Sequence, residues 1–243
     1  MANDFSKFDS MQFDGAQEEA TLKGVVDIVF LLDVTGSMGP AIIELGKNMM
    51  NFINNIDPNT VKDYKVKVVS FGDFELDEDD IKFDISRAFT DDPAELYKQF
   101  EDVIELIKKK GGKDIPESSQ DALYKTIQDG YSADWSERTR VLVLFTDAIS
   151  KEIQKDTIGG IDLPNDDKIQ MLADMVNDNR VRTFIYAPKD DKMIKLSNLT
   201  SEYLSYNAID SDGSDPKDAL RKLDFKDEMQ IIGKVVSQPS LVM

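Results

Sequence analysis

Asp33, Thr35 and Ser37 follow one another at two-residue spacing, directly after the apolar run of VVDIVFLLDVTGSM (residues 25–38). A carboxylate and two hydroxyls delivered together to the end of a strand form a compact oxygen donor set, suited to a hard divalent cation that keeps part of its water. Asp147 stands in the same relation to a second apolar run, RVLVLFT (residues 140–146), and Asp114 lies in a glycine-led loop, GGKDIPE (residues 111–117). The chain has no histidine and no cysteine. That removes imidazole and thiolate ligands and leaves Mg²⁺, Mn²⁺ or Ca²⁺ as the ions these residues could hold. Each residue also has a plainer role open to it. Asp, Thr and Ser all cap helices, Asp147 can cap after its strand, and Asp114 can be an exposed loop acid.

The elements that must position these residues alternate. Val25–Leu32 is nearly continuous in apolar character, as a central parallel strand requires. Pro40 falls in the first turn of the next helix, where Ile42, Leu45, Met49, Phe52 and Ile56 recur at three- and four-residue steps; Met49 and Met50 are both expected in the core. Lys65–Phe71 reads as a second strand, and Ile81–Ala88 as a short edge strand. Asp92 caps and Pro93 opens a helix with the stripe Leu96, Phe100, Val103, Ile104 and Ile107, closed by three lysines and Gly111. A shorter helix follows over Glu117–Asp129, then the strand Arg140–Thr146, and then a helix capped by Asn165. The strand Val181–Ala187, a short helix over 190–197 and a small strand over Tyr203–Tyr206 come next. Asp215 and Pro216 open a C-terminal helix. Asp73, in SFGDF, reads as a turn residue.

Repeated βα units predict a doubly wound, mostly parallel α/β sheet with helices on both faces, Rossmann-like in plan. Such sheets bind ligands outside the carboxyl ends of their strands, where Asp33 and Asp147 fall. Residues 1–22 read as an acidic N-terminal arm and 23–243 as one domain including the C-terminal helix. Neither GxxxxGK[ST] nor GxGxxG occurs, so phosphate-cradling loops of those kinds are absent.

Forty-seven acidic residues against 29 basic ones leave a formal charge of −18. Such a surface repels nucleic acid and anionic membrane and favours basic partners. The apolar runs are strand-sized, none reaches a membrane span, and the N-terminus lacks the pattern of a secretory leader; a cytoplasmic protein is expected.

The three motifs taken in order resemble the von Willebrand factor A family and its metal-ion-dependent adhesion site. Asp33-Val34-Thr35-Gly36-Ser37 is similar to the family's first motif, Asp-x-Ser/Thr-x-Ser, in its threonine form. Thr146-Asp147-Ala148 is similar to the third, with alanine in place of the usual glycine, and the loop holding Asp114 resembles the branch that offers Asp where others offer Thr. The resemblance covers about residues 24–210. It implies one Mg²⁺ (or Mn²⁺) on the top face, ligated by Thr35 or Ser37, with Asp33 and Asp147 mostly holding its waters. It also implies a domain that binds a partner protein and does not catalyse. Two other functions fit the same residues: a Mg²⁺-dependent phosphoryl-transfer or hydrolytic enzyme built on Asp33 and Asp147, and a scaffold with a vestigial site.

Overall fold

Strand β1 (Gly24–Asp33) is buried along nearly its whole length, because it lies inside a sheet covered on both faces. Its side chains alternate between two cores: Ile28, Phe30 and Leu32 enter one, Val29 and Leu31 the other. This explains the continuous apolar run, since neither face meets water. The structure, a computed structural model, describes residues 24–75, 82–110, 117–131, 138–200, 202–209, 220 and 223–237.

A turn of 3₁₀ helix (Gly36–Met38) leads from β1 into α1 (Gly39–Asn54). Then come β2 (Val61–Phe71), β3 (Phe83–Asp84), α2 (Pro93–Lys110), α3 (Ser119–Asp129) and β4 (Arg138–Phe145). The chain continues through α4 (Asn165–Asp178), β5 (Arg182–Pro188), α5 (Asp191–Leu199), β6 (Leu204–Ile209) and α6 (Phe225–Val236). The strands form one sheet in the order β3-β2-β1-β4-β5-β6. All neighbours are parallel except β3, which pairs antiparallel with the end of β2. Apolar residues of α1, α2 and α6 pack on one face, and those of α3, α4 and α5 on the other. The predicted doubly wound sheet is therefore the observed one.

The strand order reverses at β1. The chain first moves outward to β2 and β3, then returns to β4 on the other side. The crevice at such a reversal is the usual ligand site of open α/β sheets. Register brings the two critical strand ends level, Leu32 lying opposite Phe145.

Several local expectations shift. The expected edge strand over Ile81–Ala88 contracts to the two residues of β3. Asn165 is the first residue of α4 and Pro164 holds the cap position, so Asn165 does not cap. Pro164 supplies the extended backbone there, and Asp166 and Asp167 give the first turn its negative charge. The C-terminal helix begins at Phe225, capped by the Asp224 carboxylate on the amides of Lys226 and Asp227; Asp215 and Pro216 lie outside the described residues. Met49 is buried as expected, whereas Met50 is 47% exposed on the outer side of α1.

Candidate metal centre

Asp33 closes β1 and is fully buried. Its Oδ1 accepts the Thr35 amide at 2.8 Å, and its Oδ2 accepts the Thr146 hydroxyl at 2.6 Å. Asp147, the next residue after Thr146, is buried and close enough for its charge to act on Asp33. Burial first, and then the charge of Asp147, push the Asp33 carboxyl from 3.8 up to about 7; the hydrogen bonds from Thr146 and Thr35 only partly offset this. Two carboxylates, Asp33 and Asp147, thus share one buried space at the strand ends.

The Thr35 hydroxyl does not take the capping role open to it. Thr35 occupies the cap position of the 3₁₀ turn, yet its side chain makes no capping hydrogen bond. Its Oγ1 is buried, lacks a partner in full hydrogen-bond geometry, and lies close enough to Asp33 to favour that residue's ionised form. A hydroxyl engaged only this loosely stays open to a ligand. Ser37 is half-buried two residues further along the turn, and α1 likewise lacks a side-chain cap. Hydroxyls beside two acids, rather than an all-acid cage, suit a small ion that keeps water. Among the described residues no group of three or more carboxylates gathers. The donors present therefore fit Mg²⁺ or Mn²⁺.

Asp114 lies outside the described residues. The residue that ends its loop is fixed, however. The amide of Glu117 bonds to the Ile149 carbonyl at 3.0 Å, and the Lys151 amide to the Glu117 carbonyl at 2.7 Å. Glu117, the first described residue after α2, is therefore anchored to the segment that follows Asp147.

A match to the model of the von Willebrand factor type A domain spans residues 27–222. The chain belongs to this family. Family members are protein-interaction modules. Comparison with the sequences of curated proteins returns no match. Among solved structures, the chain is similar to the pilus adhesin SpaC from Lactobacillus rhamnosus GG, with a TM-score of 0.56 at 14% identity over 88% of this chain. It spans about a third of that adhesin, 31% of its length. It is also similar to the SpRpn10 VWA domain, with TM-score 0.48 and 14% identity over 82% of this chain and 96% of that one. A third similar structure is proximal thread matrix protein 1 from the mussel byssus, with TM-score 0.47 and 16% identity over 87% and 47%. At such identities the likeness concerns the fold alone. No described helix is long and apolar enough to cross a membrane.

In this VWA domain the segment after Asp147 is tied down by acids that the sequence motifs do not include. Asp190 caps α5 and accepts both the amide (2.7 Å) and the hydroxyl (2.5 Å) of Ser150. Asp121 accepts the Gln154 amide and the Thr157 hydroxyl, and burial raises its carboxyl above the ordinary range despite them. Asp73 makes the expected turn, accepting the Glu75 amide at 2.8 Å. Its other oxygen takes Lys151 Nζ at 2.6 Å, and Glu75 takes the same ammonium at 3.1 Å. Residues 150 and 151 thereby join Asp73 and Glu75 after β2, Glu117 before α3 and Asp190 after β5. Thr146 and Lys151 are the site-shaping residues that sequence reasoning missed. Thr146 was findable as the hydroxyl adjoining Asp147; Lys151 carries no local signal, because its partner is 78 residues away.

Proposed function

We propose that this VWA domain is a metal-organised protein-interaction module, holding one Mg²⁺, or Mn²⁺ or Ca²⁺ in its place, on its top face. Thr35 and Ser37 would offer hydroxyl ligands, Asp33 and Asp147 would hold the ion or its waters, and Asp114 would complete the set from the neighbouring loop. The single observation that carries this reading is the buried, loosely engaged Thr35 hydroxyl beside an Asp33 whose carboxyl is raised by burial and then by the charge of Asp147. When bound, the ion would supply positive charge beside the two buried carboxylates. Thr146 keeps the Asp33 carboxylate turned toward the crevice, and the Glu117 and Lys151 contacts keep the loops level. The hydrolytic and scaffold readings gain no support from any feature of the site.

Asp114 shapes the partner chemistry. With Asp33 and Asp147 it brings a third negative charge to a divalent ion, so the filled site attracts a partner carboxylate weakly, and the chain's charge of −18 opposes an acidic partner further. In this reading the ion chiefly organises the loops that touch the partner. Calorimetric titration with MgCl₂ tests metal binding: uptake by the wild type at or below millimolar concentration, lost in Asp33→Ala, is the expected result. Pull-down from native lysate, with Mg²⁺ and with EDTA, tests whether partner capture follows the metal. Asp114→Thr should strengthen metal-linked capture of an acidic partner; no change would remove the role given to Asp114.

A further inference from the structure

At the opposite end of the sheet, the first half of β2 has an outer edge that no described residue pairs with. Its last residues pair with β3, Val66 exchanges backbone hydrogen bonds with Thr90 (2.8 and 2.9 Å), and the Val68 amide is taken by the Gln99 side chain at 2.9 Å. Backbone groups alternate in direction along a strand, so Tyr64 turns its N–H and C=O to the same outer side as Val66 and Val68. Among the described residues nothing pairs with them there. A cavity of about 260 Å³ opens beside this stretch. Ile56 and Val61, both nearly buried, give it an apolar floor. Asp63, Tyr64 and Asp91 also line it, and Lys62 is the one cation among the described residues of the lining. Burial, then the negative field of Asp91 and Asp63, hold the Tyr64 hydroxyl above its ordinary range.

We propose that this edge and cavity form a second docking surface, which takes an extended, basic segment of a partner protein by strand addition beside β2. An open edge supplies the backbone hydrogen bonds of such binding, and a pocket beside it selects a side chain. An arginine or lysine fits this pocket, its stem on Ile56 and Val61 and its head between Asp63 and Asp91. The overall charge of −18 steers the same class of partner. The chain's own first 23 residues are a poorer occupant, since they carry five acids against two lysines. Tyr64 lies about 23 Å along β2 from Phe71, the register partner of Asp33, at ~3.3 Å per residue, so the surface does not depend on the reading of the metal centre.

Fluorescence anisotropy with a peptide of about nine residues alternating valine and arginine tests this on the full chain, alongside hydrogen exchange. Binding in both Mg²⁺ and EDTA, new protection over residues 61–66, and about tenfold weaker binding in Asp63→Asn/Asp91→Asn are expected. Equal affinity for the valine–glutamate counterpart overturns the proposal. Loss of binding in EDTA also overturns it, by placing the peptide at the metal face. Protection of Tyr64 before any peptide is added overturns it as well, because the chain then fills its own edge.

Discussion

Thr146 donates its hydroxyl to Asp33 across 2.6 Å, although 113 residues separate the two. The bond is a product of register: Leu32 and Phe145 lie side by side, so the residues that follow them leave the sheet together. Thr146 is fully buried, so Thr146→Val keeps the shape and removes only the donor. A hydrogen bond to a charged group contributes about 1.5–3 kcal/mol. The variant should bind Mg²⁺ roughly tenfold or more weakly in calorimetry, because Asp33 then ionises less readily. Unchanged affinity would mean that Thr146 has no part in presenting Asp33.

Asp33 also predicts how the metal-free protein responds to pH. Its carboxyl titrates at about 7 in the folded chain and near 3.8 when unfolded. Between those values the folded state holds a proton that the unfolded state has released. Stability in EDTA should therefore be highest at the acid end of this window, fall as pH rises toward 7, and level off above it. The total change is on the order of a few kcal/mol. Excess Mg²⁺ replaces the proton and should flatten the profile, as should Asp33→Asn. Melting curves from pH 5 to 8, with and without chelator, check this; identical slopes in both would remove the ion from the account.

How much of this was legible in the sequence depends on the range of the interaction. β1 and β4 read correctly because burial on both faces leaves an unbroken apolar run within one short segment. The convergence of Asp33 and Asp147 followed from the rule for strand ends in a parallel sheet. The α4 cap did not read correctly, since Asn165 is a good capping residue by type while Pro164 fixes the backbone. Met50 shows the limit of periodicity: it adjoins a core residue, yet one step along α1 turns it 100° toward water. Pairs such as Lys151–Asp73 leave no periodic trace.

That ion pair makes its own prediction. The Asp73 side chain is 7% exposed and that of Lys151 16%, so removing the cation takes a close ion pair from a nearly buried carboxylate. Lys151→Met should destabilise the domain by about 3 kcal/mol. Adding Asp73→Asn should restore part of the loss, since the amide needs that cation less. A double-mutant cycle in urea measures the coupling. Strictly additive effects would show that the two side chains do not stabilise each other.

Gly233 sits where α6 crosses α1. A Cβ placed there would lie 2.9 Å from the Phe52 carbonyl oxygen and 3.1 Å from the Asn55 Cβ. The first of these is backbone and cannot rotate away, so the helices must separate. Nearby, Ser237 donates to the Gly233 carbonyl and accepts the Asp57 amide, fixing the end of α6 to the turn after α1. In an exposed helix Gly→Ala would stabilise, by up to about 1 kcal/mol. Here overpacking should outweigh that gain and leave Gly233→Ala destabilised by about 1–3 kcal/mol. Urea unfolding decides between the two signs. A more stable variant would mean that α6 is free to shift on α1.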